Sequence, residues 1–352
     1  MTDIQNMTKL PAIGFEQMFF AGNKYHCLVV KATYHWDDDG KLSLAETQPE
    51  LVAQDEYEVE PLTSSLRYVT DLVPFKPATD VLITGTARSP NDKAVSQWVA
   101  GVVVGSVKKG VRLVGPRSWQ HKTLLGWKLS EPEHCNSVQL TWENTWGGQQ
   151  AEPKNEKDIF WKNPLGKGFN YKNALDKDKT YPAPQIEDYA RPIVEMAREY
   201  PPVGFGPLDV FFHDRSMLAG AFDDNWQKKI APSLPQDMDM GFYNAAPRDQ
   251  IIDGYLEGGE TIRLTGLTSA SPFEFVLPRH NMCAVVYYGP EGSDTVNMNL
   301  DTVAIDLDDQ SVTMRWCCLV PFADNPRLIL MTKLDRVAMP ADEAESEAGV
   351  PT

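Results

Sequence analysis

The first third of the chain alternates apolar and polar positions with the two-residue period of β-strands. Residues 25–34 are rich in β-branched and aromatic side chains, and the acidic run at 37–40 supplies a turn that ends them. Further strand-like runs lie at 81–87, 102–107, 111–114 and 138–142. None of these runs shows the 3.6-residue period of a helix, so the pattern predicts strands throughout this part.

The last third returns to the same pattern. Strands are predicted at 261–264, 273–277, 284–288, 302–307 and 311–316. Two hairpins are expected from short polar runs between strands, one with its turn at 108–110 and one with its turn at 308–310. Glycine at 110 supports the first turn because it adopts positive φ without steric cost.

The middle of the chain has a different composition. Residues 147–182 are polar, and nine prolines lie between 182 and 247. Because proline fixes φ and removes a backbone donor, this part is expected to be mostly irregular. Two short helices fit the sequence, at 192–199, where proline takes the first position, and at 224–230, capped by Asp223 or Asp224.

These patterns predict a mainly β protein with sandwich-like sheets. An N-terminal β-rich half (1–150) and a C-terminal β-rich half (251–338) pack together, joined by the proline-rich connector (151–250). An acidic tail (339–352) is expected to be disordered. The connector is too long and too rich in distinct motifs for a free linker, so the halves are expected to form one unit.

The charge balance limits the partners. The 352 residues include 33 basic and 49 acidic side chains, a formal net charge of −16. Such a chain repels phosphate backbones and anionic lipids, which argues against binding to nucleic acid. The sequence contains no run of about 18 apolar residues, so membrane insertion is not expected. The odd set of five cysteines and the absence of a signal peptide indicate a cytoplasmic protein with free thiols, a vicinal Cys317–Cys318 disulfide being the minor alternative.

Candidate chemistry is sparse. His213 and Asp214 could begin a metal site completed by Asp223, Asp224, Asp237 or Asp239, but turn and cap roles explain these residues better. Asp301, Asp306, Asp308 and Asp309 are interpreted as solvated carboxylates at strand ends. No nucleophile motif or phosphate-binding loop is present. We therefore expect no catalytic residue, metal or cofactor. Nine tryptophans leave a carbohydrate-binding or carbohydrate-active β protein as the alternative.

One segment is basic within this acidic chain. Residues 88–128 hold eight basic side chains and one acid, Asp92, a local balance of +7. This segment is either a solvated sheet face or a docking surface for an acidic protein partner. On the second interpretation the partner-binding residues are Lys108, Lys109, Arg112 and Arg117.

Several phrases spread over about nine-tenths of the chain resemble one bacterial family, the adaptors or chaperones encoded beside type VI secretion VgrG spike and PAAR genes. The phrases include Thr70-Asp71-Leu72-Val73-Pro74-Phe75-Lys76-Pro77, Gly204-Phe205-Gly206-Pro207, Asn244-Ala245-Ala246-Pro247-Arg248-Asp249-Gln250 and Leu300-Asp301-Thr302-Val303 with Arg315-Trp316. The resemblance implies a cytoplasmic protein that binds a toxic effector and promotes its stability and loading onto the VgrG/PAAR spike. It implies no catalytic residue.

The residues of the two longest phrases have a structural interpretation. Gly204, Gly206 and Pro207, with Phe205 between the glycines, are expected to fix a tight turn. Asn244 and Asp249 are expected to bond backbone groups freed by Pro247.

Overall fold

A computed structural model describes residues 2–150, 153–169, 176–196, 198–322 and 325–333. The strands of the N-terminal half are β1 (Asp3–Asn6), β2 (Ala12–Met18), β3 (Lys24–Trp36), β4 (Leu42–Leu44), β5 (Glu56–Tyr57), β6 (Leu66–Tyr68), β7 (Asp80–Thr84), β8 (Thr86–Arg88), β9 (Gln97–Val104), β10 (Val107–Val114), β11 (Ser118–Lys122), β12 (Gly126–Leu129), β13 (Ser137–Gln139) and β14 (Trp146–Gly147).

The connector and the C-terminal half follow. The connector contains β15 (Lys167–Gly168), β16 (Tyr181–Pro182), β17 (Ile186–Asp188), α1 (His213–Ser216) and α2 (Asp224–Lys229). The C-terminal strands are β18 (Thr261–Thr265), β19 (Phe273–Val276), β20 (Met282–Tyr287), β21 (Ser293–Asn297), β22 (Asn299–Asp306), β23 (Ser311–Pro321) and β24 (Leu328–Lys333). The mainly β class is confirmed, while the predicted acidic tail lies outside the described residues.

The two β-rich halves share their sheets instead of forming one each. A six-stranded sheet has the order β2-β3-β23-β22-β7, with β4 also paired to β3. A five-stranded sheet has the order β17-β10-β9-β18-β19, and a four-stranded sheet the order β1-β24-β20-β21. Strands from both ends of the chain therefore lie side by side, because backbone pairing does not depend on nearness in sequence.

The main core lies between the six-stranded sheet and the other two. Its inward side chains come from alternate positions of each strand, as in the row Leu28, Val30 and Ala32 of β3. β19 contributes Phe273 and Phe275, and Phe275 stacks on Trp36 with 5.7 Å between ring centroids. This alternation leaves one face of each sheet pointing away from the core.

Two local predictions of the connector have opposite outcomes. Helix α2 is confirmed, and its N-cap is Asp223, whose carboxylate accepts from the N–H of Trp226 at 2.8 Å. The helix predicted at 192–199 is wrong for the residues described there. The N–H of Ile193 instead donates to Glu187, and the N–H of Val194 donates to the Tyr200 hydroxyl. These side-chain acceptors hold the backbone in an irregular path.

The first predicted hairpin exists, but its turn lies elsewhere. β9 and β10 pair from Val104↔Val107 outward, so the turn is at Gly105 and Ser106 and not at residues 108–110. Gly105 has φ +52°, a conformation that glycine adopts readily. The run predicted as one strand at 81–87 is likewise divided into β7 and β8 at Gly85, which has φ +92°.

Candidate functional site

A buried carboxylate joins the connector to the six-stranded sheet. Asp80 begins β7 and is fully buried. Its oxygens accept from the Nζ of Lys76 at 2.7 Å, the side-chain amide of Asn244 at 2.9 Å and the N–H of Ala245 at 2.9 Å. Asn244 therefore bonds the side chain of Asp80 and the carbonyl of Ala78, at 2.8 Å, whereas the sequence had suggested bonds to backbone groups freed by Pro247.

The same connector covers the outer edge of β7. The N–H of Ile83 donates to the carbonyl of Phe205 at 3.2 Å. The side-chain amide of Gln250 donates to the carbonyls of Val81 at 2.7 Å and Phe205 at 2.9 Å. An open sheet edge invites unwanted pairing, and these bonds close it. Residues of the two long phrases thus hold the connector against β7, through bonds other than those expected from the sequence.

The need for glycine at 204 has a different cause from the one expected. A Cβ there would lie 3.1 Å from the indole of Trp142, whose Nε1 donates to the carbonyl of Pro207 at 2.9 Å. The glycine is needed for close approach to this ring, and the chain makes a bend at residues 205 and 206.

A second set of buried ion pairs lies beneath the segment at 70–77. Arg315 on β23 pairs with Asp301 and donates to the carbonyl of Asp71 at 3.0 Å. The Nζ of Lys31 donates to the Asp71 carboxylate at 2.6 Å. Asp301 and Asp306 are buried, so their interpretation as solvated carboxylates was wrong, whereas Asp308 and Asp309 are exposed. Asp301 is paired with Arg315 of the neighbouring strand, and Asp306 accepts from the Tyr68 hydroxyl and from the N–H groups of residues 308 and 309.

The fold buries some side chains of the basic segment (residues 88–128) and leaves others exposed. Lys109 lies on the inward face of β10, over the ring of Phe205 and bonded to Asp249. Burial lowers the pKa of Lys109. The side chain of Arg117 is 8% exposed and donates to Glu187 at 2.7 Å. The earlier hairpin turn sets the odd-numbered positions of β10 inward and so buries Lys109, whereas Arg117 follows β10 and is held by its ion pair with Glu187.

Lys108 and Arg112 lie on the other face of β10 and keep the docking interpretation as a prediction. Lys108 is exposed. Arg112 is partly exposed, 3.7 Å from Glu187, and its guanidinium lies over the ring of Tyr189.

These two residues border an uncovered part of the five-stranded sheet, here called the open sheet face. Its apolar members are Val99 (44% exposed), Val103 (41%) and Val276 (54%). Lys108 lies directly opposite Val103, which is opposite Arg263 on β18. Gly101 and Gly110 face each other in the next row and leave the centre of the face flat. The open sheet face is therefore flat and partly apolar, with Lys108 as its unpaired cation among the described residues, because Arg263 is paired with the neighbouring Glu274 of β19.

Sequence reasoning missed the valines and Arg263 of this face. Residues 98–104 are apolar at nearly every position, so the sequence does not indicate whether the odd-numbered or the even-numbered side chains face water. Only the register of β9, with Trp98, Ala100 and Val102 buried, shows that Val99 and Val103 point outward.

A cavity of about 300 Å³ lies between the six-stranded sheet and residues 49–71. Hydroxyl side chains form much of its floor: Thr33, Thr84, Thr302, Ser311 and Thr313. Tyr68 lines the wall and donates to Asp306 at 2.7 Å. The cations Lys31, Lys76 and Arg315 that reach this cavity are each paired with a carboxylate. The hydroxyl groups of the cavity therefore lie near cations that are already paired.

The described residues do not form the metal site considered at His213 and Asp214. The Nδ1 atom of His213 lies 3.3 Å from the Oδ1 atom of Asp214, and both side chains are exposed on helix α1. Among the residues that the structure describes, no three His, Cys, Asp or Glu side chains form a cluster suited to a metal ion. The five cysteines, including Cys317 and Cys318, are free. None of the described helices is long and apolar enough to cross a membrane.

Comparisons with known proteins give a family and no close relative. No curated protein and no solved structure matches the chain. One family model matches residues 21–317, which include both long phrases, the buried ion pairs and the open sheet face. Since this match covers most of the chain, the protein belongs to the family described as uncharacterized protein conserved in bacteria (DUF2169).

Proposed function

We propose that this protein is a non-catalytic cytoplasmic adaptor, or chaperone, for a type VI secretion effector. It binds the effector, promotes its stability and assists its loading onto the VgrG spike and PAAR tip. The proposal joins the sequence resemblance described above to one structural observation, the open sheet face.

The open sheet face is suited to a protein partner. Val99, Val103 and Val276 offer apolar surface to water on a rigid sheet, a pattern typical of interaction sites. Lys108 adds an exposed positive charge beside Val103 in a chain of net charge −16, whereas Arg263 on the same face is paired with Glu274. Such an arrangement favours an acidic partner, since complementary charge speeds encounter and apolar contact slows release.

The test is co-expression with the effector encoded nearby, followed by pull-down and a secretion assay in a deletion strain. We expect a stable complex, with lower effector levels and secretion when this protein is absent. Assembly of the secretion machine should be unaffected. Normal effector levels and secretion in the deletion strain would refute the proposal.

Two variants address the open sheet face separately. Val99→Gln/Val103→Gln removes apolar surface without adding charge, and we expect faster dissociation from the effector. Lys108→Glu should slow association mainly at low salt, because salt screens exposed charges. Lys228→Glu on α2 is the control, since Lys228 is also highly exposed but lies on a different element. Lys109 is unsuitable for charge reversal because it is buried.

The second candidate remains a carbohydrate-binding protein, and the cavity beside Tyr68 favours it. A floor of hydroxyl groups next to an aromatic side chain can accept a small polyhydroxylated ligand. A screen against soluble glycans tests this candidate. Glycan binding that is lost in Thr84→Val would support it, and a blank screen would remove it.

A further inference from the structure

The hairpin β11–β12 is firmly anchored at its base. Trp119 of β11 is buried in a small aromatic cluster with Trp146 and Tyr200. β11 pairs with β12 on one side, from Trp119↔Leu129 to Lys122↔Gly126, and with β16 on the other. Trp127 packs edge-on against Tyr181 at 5.6 Å between centroids. The hairpin therefore presents its tip from a fixed position.

The tip itself carries two leucines in water. Leu124 is 95% exposed and Leu125 is 67% exposed. The N–H of Leu125 donates to the carbonyl of Lys122 at 2.9 Å and closes a turn in which Leu124 takes the third position. Asn, Asp and Gly usually occupy such turns. Local turn chemistry does not explain adjacent leucines here, and their exposure gives the folded chain no burial energy.

The hairpin itself carries charge of one sign. Residues 117–130 contain no Asp or Glu, and Lys122 and Lys128 are exposed on the two strands next to the leucines. Lys122 donates to the side chain of Gln120 at 3.2 Å. Within the described part of the chain, neither lysine forms an ion pair. Two lysines without an ion pair thus flank the apolar tip of the hairpin in a strongly acidic protein.

We infer that Leu124 and Leu125 insert into an apolar groove of the effector whose rim carries carboxylates, and that Lys122 and Lys128 pair with that rim. This inference rests on the proposed function, and it assigns a second contact, separate from the open sheet face. A preorganised hairpin loses little conformational freedom on docking, so burial of both leucines contributes nearly in full to affinity.

A protein groove fits the observations better than an anionic membrane. Two leucines and two lysines offer a small contact for a bilayer, and the net charge of −16 opposes approach to anionic lipids. A groove with an acidic rim uses both the apolar tip and its unpaired cations.

The test compares the full-length protein with Leu124→Asp/Leu125→Asp in binding to the purified neighbouring effector. Because both side chains are exposed, the variant should keep the melting temperature of the wild type. We expect affinity to fall by at least about 100-fold, from the loss of two buried leucines. Val59→Asp/Leu62→Asp is the matched control, since it adds the same charge at two other exposed aliphatic positions.

The outcomes separate this inference from the proposed function. Binding by the wild type and the control, with loss in the tip variant alone, supports the inference. Equal binding by all three proteins, or equal weakening in the tip and control variants, overturns it while the adaptor proposal stands. Absence of binding by the wild type overturns both. If the wild type sediments with phosphatidylserine vesicles and the tip variant does not, the tip binds a lipid surface. That result would overturn the inference of a protein groove.

Discussion

The Nζ atom of Lys109 lies 2.8 Å from the Oδ1 atom of Asp249 and joins strand β10 to the connector across 140 residues of sequence. The two side chains differ in environment, since that of Lys109 is 4% exposed and that of Asp249 is 60% exposed. Removing one partner therefore has a different consequence from removing the other.

We expect Asp249→Asn to destabilise the protein by about 1–3 kcal/mol, because it weakens the bond to a buried ammonium group. Lys109→Met should cost less than about 1 kcal/mol, since it keeps the aliphatic stem and leaves behind a carboxylate that water already solvates. Urea unfolding of both variants measures the difference. A larger loss in Lys109→Met would contradict the assignment of the buried partner.

The same pair gives a dependence on pH. Burial lowers the pKa of Lys109 below its ordinary value of 10.5, with Asp249 acting in the opposite direction. Between the folded-state pKa and 10.5 the unfolded chain binds the extra proton, so stability contributed by this group rises with pH. In Asp249→Asn the folded-state pKa falls further, and the rise should begin at lower pH. Unfolding free energies of the wild type and the variant, measured from pH 7 to 10, check this.

Asp80 is expected to be among the least replaceable residues. Asp80→Asn places an amide where Lys76, Asn244 and two backbone N–H groups all donate, and we expect a loss of about 3–5 kcal/mol. Asp224→Asn, at a highly exposed carboxylate, should cost less than about 1 kcal/mol. Denaturant midpoints measure both, and equal midpoints would show that the connector does not depend on Asp80.

His26 should make the fold sensitive to acid. Its ring is buried, lies tilted by 33° against Phe322 at 4.6 Å between centroids and has no hydrogen-bond partner among the described residues. Burial lowers the pKa of His26 in the folded state below 6.5. As the pH falls below 6.5, the unfolded chain takes up the proton first, so the free energy of unfolding decreases until the pH reaches the folded-state pKa. His26→Phe should lose less stability between pH 7 and 5 than the wild type does. His35→Phe, at an exposed histidine, should behave as the wild type.

The thiols should react in two classes. Cys27, Cys283, Cys317 and Cys318 are buried, and burial raises the pKa of Cys317 to about 12. Cys135 is half-buried. We expect a maleimide at pH 7 to label Cys135 first in the native protein and all five thiols after unfolding without reductant. Mass spectrometry measures the labels, and fewer than five after unfolding would indicate a disulfide.

The sequence by itself determined the class of the fold and much of its local structure. The two-residue period predicted β3, β18, β19, β22 and β23, and Asp223 was correctly expected among the caps of α2. These features depend on neighbours within a few residues, which the sequence places side by side. For the two long phrases, the sequence predicted a structural role but not the contacts that Gly204 and Asn244 make.

Only the tertiary structure decided which face of each strand meets water and which charges are buried. The turn at Gly105 and Ser106 set Lys109 inward and Lys108 outward, a difference of one position that reverses the environment of each side chain. Asn244, one partner of Asp80, is 164 residues away, and Asp249, the partner of Lys109, is 140 residues away. Burial and pairing of charge depend on such distant contacts, and the local pattern of a sequence does not contain them.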